Sequence, residues 1–488
     1  MKIPFVGGTY NAVSGAIDAS RSINFYPELS QEDSKSVVSM IGTPGTALWA
    51  TVGSGVVRGE HVFNSVMFVV SGNKLYSVTT AGVATEIGTL QTSTGPVSMQ
   101  NNGLASAGIG GNQLIIVDGT AGYLYNVVTA AFSTISGGGF PDSPAMAAYL
   151  DGYFIVFGSG KMAYAVSDLY DGSTWNALAT ASIIASPDPI VSVLSAHNQL
   201  WFLKSATSEV WYNAGTPTSQ GSPFSRIAGS VIEFGNAAPF SGAHGAGAAF
   251  FLGSIRENES NNFFAVVKLA GNVPQPISPP AINYRIGQLG TISDAISYMY
   301  TDSGHTFYVL TFPTGNATIV YDATTNFWHE RSTYIGGASS IRRHTGNCYA
   351  FFGGKHLVGD YRANGKIYEM SAATYDDAGY ALTSIRQAQH FADKNDGRNL
   401  SYHRLNIDIE SGVGTQTGQG ANPMARLSWS DDGAKTWSNE YSKSMGKIGE
   451  YKKRMSWRRL GASRDRIFRL EISDPVKRVI TGAFADIT

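Results

Sequence analysis

Residues 65–78 read SVMFVVSGNKLYSV. Five consecutive apolar residues suit a strand buried on both faces, Ser71-Gly72-Asn73 supplies a tight turn, and a second strand returns along the first. A looser third strand follows at 84–90 (ATEIGTL). The phrase comes back at 113–118 (QLIIVD) with 123–128, at 153–158 (YFIVFG) with 162–167, and at 199–204 (QLWFLK) with 208–213. Three further copies begin near Ala248 (AAFFLG, then NFFAVVKLAG), His305 (HTFYVLTF, then ATIVYDATTNFWHE) and Asn347 (NCYAFFGG, then KIYEM). Such a unit cannot bury its own apolar faces, so neighbouring units must stack. With Val66, Leu114, Phe154, Leu200, Phe250, Phe307 and Ala350 as equivalent anchors, the period is about 40 to 57 residues, within reach of a propeller blade. The expected fold is all-β, a β-propeller of six or seven blades. Two ordinary β-sandwiches with similar hairpins are the competing architecture.

At 488 residues the chain exceeds the size at which one hydrophobic core stops growing, and a repeat meets that limit by adding core unit by unit. Its 56 glycines and 24 each of Tyr and Phe favour strands joined by tight turns. Residues 1–55 carry few strand signals and are expected to form an N-terminal arm, 56–380 the propeller, and 381–488 a β-sandwich-like domain. The last is marked by the polar connection 393–399 (DKNDGRN), by alternating strands at 402–410, 424–430 and 467–472, and by the glycine-rich loop 412–420. Helical periodicity is confined to short candidates at 293–300 and 384–391.

Several classes of chemistry find no support in the residues. No stretch has the roughly eighteen apolar residues of a membrane span, and the first residues lack a signal-peptide core. No membrane insertion is expected, and the triplets at Asn258, Asn316 and Asn399 are expected to carry no sugar. Cys348 is the single cysteine, which excludes an intrachain disulfide and a multi-cysteine metal site. His329-Glu330 has no second histidine four residues on. The glycine runs at 108–111 and 137–139 lack the Lys and helix of a phosphate loop, and no Gly-x-Ser-x-Gly elbow occurs. Residues 430–437 (SDDGAKTW) resemble the Asp-box hairpin of sialidases, with Ala434 where Gly is usual. That box braces a turn and takes no part in hydrolysis. The arginine triad and the Tyr and acid partners of a sialidase leave no signature. Tyr26, Trp201, Trp211, Trp328, Trp437 and Trp457 could stack sugars or bases, yet aromatics within strand runs are more often core. No cofactor and no enzymatic activity are expected.

Charge is the clearest local feature. Between Tyr441 and Arg478 lie twelve basic residues against four acids, a net of +8 that leaves −9 for the remainder of a chain whose total is −1. Lys452, Lys453, Arg454, Arg458, Arg459, Arg464, Arg466 and Arg469 form its centre. Three readings stand side by side: a subunit contact in which arginines pair with a neighbour's acids, a channel lining that touches DNA phosphates, and a solvated strand face.

The two ends of the chain carry a family likeness. The stretch Ile23-Asn24-Phe25-Tyr26-Pro27-Glu28, then Gly42-Thr43-Pro44-Gly45, the first hairpin at 68–76, and a C-terminal series resemble the packaged-DNA stabilisation proteins of short-tailed phages, also called tail hub or nozzle subunits. The C-terminal series is Ser430-Asp431-Asp432-Gly433, Tyr451-Lys452-Lys453-Arg454, Trp457-Arg458-Arg459-Leu460-Gly461 and Ser473-Asp474-Pro475-Val476. The resemblance implies a propeller with an added β domain, six copies forming a homohexameric ring below the portal and its adaptor, and a channel that carries double-stranded DNA. It also implies help in retaining packaged DNA, a tail needle or plug on the lower face, and tailspikes nearby. The expected location is the virion tail, after assembly in the host cytoplasm. A glycan-binding or sialidase-like propeller is the alternative function, and a generic interaction scaffold a third.

Overall fold

Six of the seven repeated phrases become the second and later strands of four-stranded antiparallel blades, and the seventh begins on an innermost strand. The computed structural model describes residues 1–31, 36–108, 110–258, 261–271, 273–334, 341–393 and 397–488. The middle of the polar connection at 393–399, Ile109 of the first glycine run and Ser260 of the Asn258 triplet lie outside the described residues. Among the described residues seven blades succeed one another, their second strands beginning with Val66–Ser71, Gln113–Val117, Tyr153–Gly158 and Gln199–Lys204. These strands read as unbroken apolar runs because both faces are covered: Leu114, Ile115, Phe154, Ile155, Leu200 and Phe202 are fully buried. Seven separate apolar clusters fill the seven gaps between adjacent blades. That between the third and fourth contains Ile155, Phe157, Tyr164, Leu200 and Phe202, and that between the sixth and seventh contains Tyr298, Val309, Val358 and Tyr368.

Each blade also has an innermost strand that the repeated phrase omits, such as Val57–Phe63, Ser98–Asn101, Pro144–Leu150 and Ile190–Ala196. These strands border the central channel along one edge, so successive residues such as Arg58, Gly59 and Glu60 line it and their sequences are mixed. In the seventh blade the anchor Ala350 falls on this innermost strand, Gly346–Phe352, and the equivalent second strand is Lys355–Asp360. The outer strand of that blade comes from the other end of the chain. Gly45–Thr51 pairs antiparallel with Lys366–Ser371, from Ser371 against Gly45 to Lys366 against Thr51. A side chain at Gly45 would meet the carbonyl oxygens of Asp376 and Thr374 at 2.3 and 2.5 Å, which is why the strand can start there only with glycine.

Residues 1–55 do not form the expected extended arm; they are built into both domains. Arg21–Ile23 lies between the outer strand of the sixth blade, Phe327–Glu330, and Ser384–Gln387. Phe25–Leu29 and Val38–Gly42 form a hairpin that joins the C-terminal sheet through Val479–Ile487. These strands give little sequence signal because their partners lie hundreds of residues away and their faces serve different cores. The C-terminal domain is a β-sandwich. One sheet contains Phe25–Leu29, Val38–Gly42, Val479–Ile487, Leu400–Ile409 and Met455–Arg458. The other contains Ser384–Gln387, Asp465–Ile472, Met424–Ser430 and Tyr441–Ser444, and it continues through Arg21–Ile23 into the sixth blade. One hydrogen-bonded sheet therefore spans both domains.

Both helix candidates are strands. Ile296–Asp302 pairs with His305–Phe312 as the innermost strand of the sixth blade, and Ser384–Gln387 is locked between two neighbours. One α-helix occurs among the described residues, Pro280–Gly287, opened by a proline in its first turn. No helix among them is long and apolar enough to cross a membrane.

Candidate interaction surfaces

The domain junction explains the N-terminal motif residue by residue. Strand alternation sends Phe25 into the sandwich core and Tyr26 into the gap between the sixth and seventh blades. Tyr26 packs edge-on against His305 and Phe307, with ring centroids 5.0 and 5.2 Å apart. Asn24 precedes them in a left-handed conformation, φ 53°. Its side-chain amide donates to the carbonyls of Ser332 and Thr383 and accepts from the Ser332 amide. His305 is held between two carboxylates, Nδ1 against Asp322 at 2.7 Å and Nε2 against Glu28 at 2.6 Å. The bond to Asp322 first, offset in part by burial and then aided by Glu28, pushes its pKa up to about 9. Glu330 accepts from Arg21 and Arg285. Burial alone would raise its pKa, but the two guanidinium charges outweigh it and pull the carboxyl down to about 2. These contacts make the junction a fixed joint.

The innermost strands enclose an axial channel of about 430 Å³ bordered by residues of all seven blades. Among the described residues Glu60 is the single acid on its wall. Both of its carboxylate oxygens are sealed from solvent and without a hydrogen-bond donor, and burial raises its pKa to about 8. Arg58, the single Lys or Arg described on the same wall, is spent on the carbonyls of Gly72, Thr92, Thr94 and Gly95. Among the described residues no three of His, Cys, Asp and Glu converge as metal ligands.

The eight basic residues at the centre of the charged segment divide by surroundings. Lys452, Lys453, Arg454, Arg458, Arg459 and Arg464 are exposed, on the loop before Met455–Arg458 and the turns after it. Arg454 reaches Asp408 at 2.6 Å and lies over the Phe484 ring, and Lys453 is 3.8 Å from Glu450. Arg466 is instead buried. It makes two 2.7 Å bonds to Asp431, donates to the Leu460 carbonyl, and stacks over Tyr402. Arg469 is half-buried, bonded to the Ser428 hydroxyl and lying 4.1 Å from the centre of the Trp437 ring. A neighbouring molecule can therefore meet the first six directly, whereas Arg466 and Arg469 brace the sandwich. Lys443 and Lys447 are exposed beside them, their ammonium groups without an acidic partner among the described residues. The surrounding motif is structural as well: Trp457 and Leu460 belong to the sandwich core, and Asp474 accepts the Met424 amide at 2.7 Å.

The hairpin at 430–437 is a braced turn. Asp432 accepts from the backbone of Lys435 and Thr436 and from the hydroxyls of Ser430 and Thr436, which hold its carboxyl well below the usual range. Tyr26, Trp201, Trp211, Trp328 and Trp457 are buried, so that set offers no stacking platform beyond the half-buried Trp437.

A propeller of seven blades fused through a shared sheet to a β-sandwich is the class of fold these strands define. Family models agree over almost the entire chain. Residues 1–375 match the β-propeller of bacteriophage P22 Gp10, and residues 387–488 match its β-sandwich. The chain belongs to that family of phage tail structural proteins. No curated protein matches. Similar solved structures include the N-terminal domain of Nup159 (13% identity, 72% of this chain and 99% of that one, TM-score 0.41). The Pan2 WD40 domain of Neurospora crassa is 10% identical over 68% of this chain and 97% of that one, with TM-score 0.43. PorZ of Porphyromonas gingivalis is 12% identical over 80% and 46%, with TM-score 0.37.

Proposed function

We propose that this chain is the repeating subunit of a tail hub or nozzle ring, a homohexamer that extends the portal-adaptor channel, helps retain packaged DNA and conducts it during ejection. The observation that carries the reading is the pairing of family membership over both domains with an exposed basic face that finds few acids in its own chain. The propeller's own channel, at about 430 Å³, holds on the order of a dozen waters at ~30 Å³ each. A duplex does not fit there, so a DNA conduit has to be formed between subunits. The fixed joint between domains suits a ring that keeps its bore. The adaptor ring, the tail needle or plug and the tailspikes are the partners this reading implies.

Mass photometry and electron microscopy of the purified chain, alone and with its adaptor, test it. Axially symmetric rings are expected. Monomers under every assembly condition would overturn the reading. Charge reversal at Arg458 and Arg459 is expected to impair ring assembly while leaving the thermal midpoint of the monomer unchanged; rings at wild-type yield would remove the basic face from the contact.

A further inference from the structure

One hairpin tip of the propeller carries two large apolar side chains where turns usually carry small polar residues. In the third blade, Asp168 pairs with Asp171, leaving Leu169 and Tyr170 as a two-residue tip. Tyr170 has φ 56°, a conformation that turns usually fill with Gly, Asn or Asp. Among the described residues the other non-glycine positive-φ positions of the propeller carry Asn, Asp, Ser, Ala or His, and Tyr170 is the bulkiest of the set. Leu169 is 51% exposed and Tyr170 39%. The Tyr170 amide donates to the Gly152 carbonyl, which sets the neighbouring Asp151 turn beside the tip. The Asp151 carboxylate accepts from Asn213, at 3.1 Å, and that of Asp168 from Thr218, at 2.6 Å. Neither meets a cation among the described residues. The tip is thus an apolar projection flanked by two uncompensated acids, and the bonds to the fourth blade hold it in place before any partner arrives.

The sandwich presents the inverse chemistry. Ile448 and Tyr451 are 54% and 75% exposed on the loop before Met455–Arg458, and Tyr441 is exposed nearby. On the same segment Lys443, Lys447 and Lys452 have no acidic partner for their ammonium groups among the described residues, and the acid between them, Glu450, accepts from the Lys447 amide and lies 3.8 Å from Lys453. Tyrosine-rich, amphipathic patches with a charged rim are what protein interfaces favour.

We propose that the Leu169-Tyr170 tip with Asp151 and Asp168 docks on the Tyr441, Ile448, Tyr451 and lysine patch of a second copy of this chain. The inference rests on the ring reading above and deepens it, because a contact between two different patches is head-to-tail and closes into a ring when the rotation per subunit divides a full turn. The complementarity of charge and of apolar character names the partner: both halves of the contact lie on one sequence. The fold uses the tip's backbone, since the Tyr170 carbonyl accepts from Asn102 at 2.9 Å, but the turn does not require a leucine and a tyrosine there.

The test uses a variant that helps folding and harms docking. Leu169→Asn combined with Tyr170→Gly gives the turn its preferred residues, so the monomer's thermal midpoint is expected to hold or rise by about 2 °C. Ring yield by mass photometry is expected to fall at least tenfold. Asp168→Lys and Lys452→Glu are each expected to reduce ring yield, and the two together to restore it. Wild-type ring yield from the tip variant overturns the inference while the ring reading stands. Loss in both charge variants without rescue overturns the pairing and assigns each patch to a different protein. A wild-type chain that forms no ring alone or on its adaptor removes both the ring reading and this contact.

Discussion

Replacing Glu60 by glutamine tests the physical description of the axial channel. The carboxyl sits on the channel wall with both oxygens shielded and unpartnered, and its pKa rises from 4.5 to about 8 through burial. In the unfolded chain this acid ionises near 4.5; in the folded chain it holds its proton to about 8. Between those values the folded state binds more protons, so stability falls as pH rises through the window. The shift corresponds to about 5 kcal/mol of destabilisation once the group is ionised. Glutamine keeps the shape and removes the charge, at a cost of about 1–2 kcal/mol for burying an unsatisfied amide. A net gain of about 3 kcal/mol above about pH 8 is expected. An unfolding entropy of about 1 kcal/mol per kelvin for a chain of this size converts that to about 3 °C. Calorimetric midpoints of Glu60→Gln and wild type should therefore coincide, or favour wild type slightly, at about pH 5, and diverge by about 3 °C at about pH 8.5. Cys348 and Tyr349 face the same carboxyl and are themselves raised, so a scan that ends there stays below their titration. Parallel midpoint curves for the two proteins would refute the buried, unpaired carboxylate.

The His305 clamp has the same pH sense in a higher window. Its contribution is fully present below pH 6.5 and lost as pH rises through about 9. His305→Gln should therefore cost about 2 kcal/mol by urea unfolding at about pH 6, a difference that shrinks by about pH 9.5. Arg466→Ala should cost about 2–4 kcal/mol, because it opens a cavity under Tyr402 and strips the buried Leu460 carbonyl of its donor. Arg458→Ala on the exposed face should stay within about 0.5 kcal/mol; equal costs would contradict the division of the basic segment. A fragment spanning 382–488, which keeps the strand Ser384–Gln387, should be unfolded by near-ultraviolet circular dichroism when alone, and should regain tertiary signal when a peptide of residues 1–43 is added. A cooperative fold without the peptide would contradict the shared core.

What is legible in the sequence depends on how many faces an element buries. Second strands such as Tyr153–Gly158 announce themselves as unbroken apolar runs because two neighbouring blades cover them. The innermost strands do not, since Val57–Phe63 (VRGEHVF) runs one edge along the channel, which Arg58, Gly59 and Glu60 line, and its apolar residues are interrupted. The outer strand of the seventh blade is hidden for another reason. Gly45–Thr51 meets Lys366–Ser371 across more than three hundred residues, and no local pattern encodes so distant a pairing. At the basic segment the charges are readable but their fates are not. Arg458 and Arg466 stand eight residues apart in one run, yet Asp431 on a separate hairpin draws the second into the core. The hairpin tip at Leu169-Tyr170 escapes a reading that looks for strands, although Leu-Tyr between two aspartates, where Asn-Gly would be ordinary, is a signal in the sequence.

The distribution of the first 55 residues explains why the two matched regions act as one body. Ile3, Phe5, Phe25 and Met40 are buried in the sandwich core, Tyr26 in the gap between the sixth and seventh blades, and Gly45–Thr51 closes the ring of blades. Four buried side chains at about 2 kcal/mol each supply roughly 8 kcal/mol, a large share of the ~5–15 kcal/mol that a domain retains in total. The sandwich therefore depends on residues that lie before the propeller in sequence, and the propeller depends on a strand that leaves the sandwich to complete its last blade. Loosening either domain exposes strands of the other, so force applied to one is carried to the next through hydrogen bonds within a single sheet, not through a linker. A subunit built this way resists bending at its own joint, because the two domains share strands of one sheet.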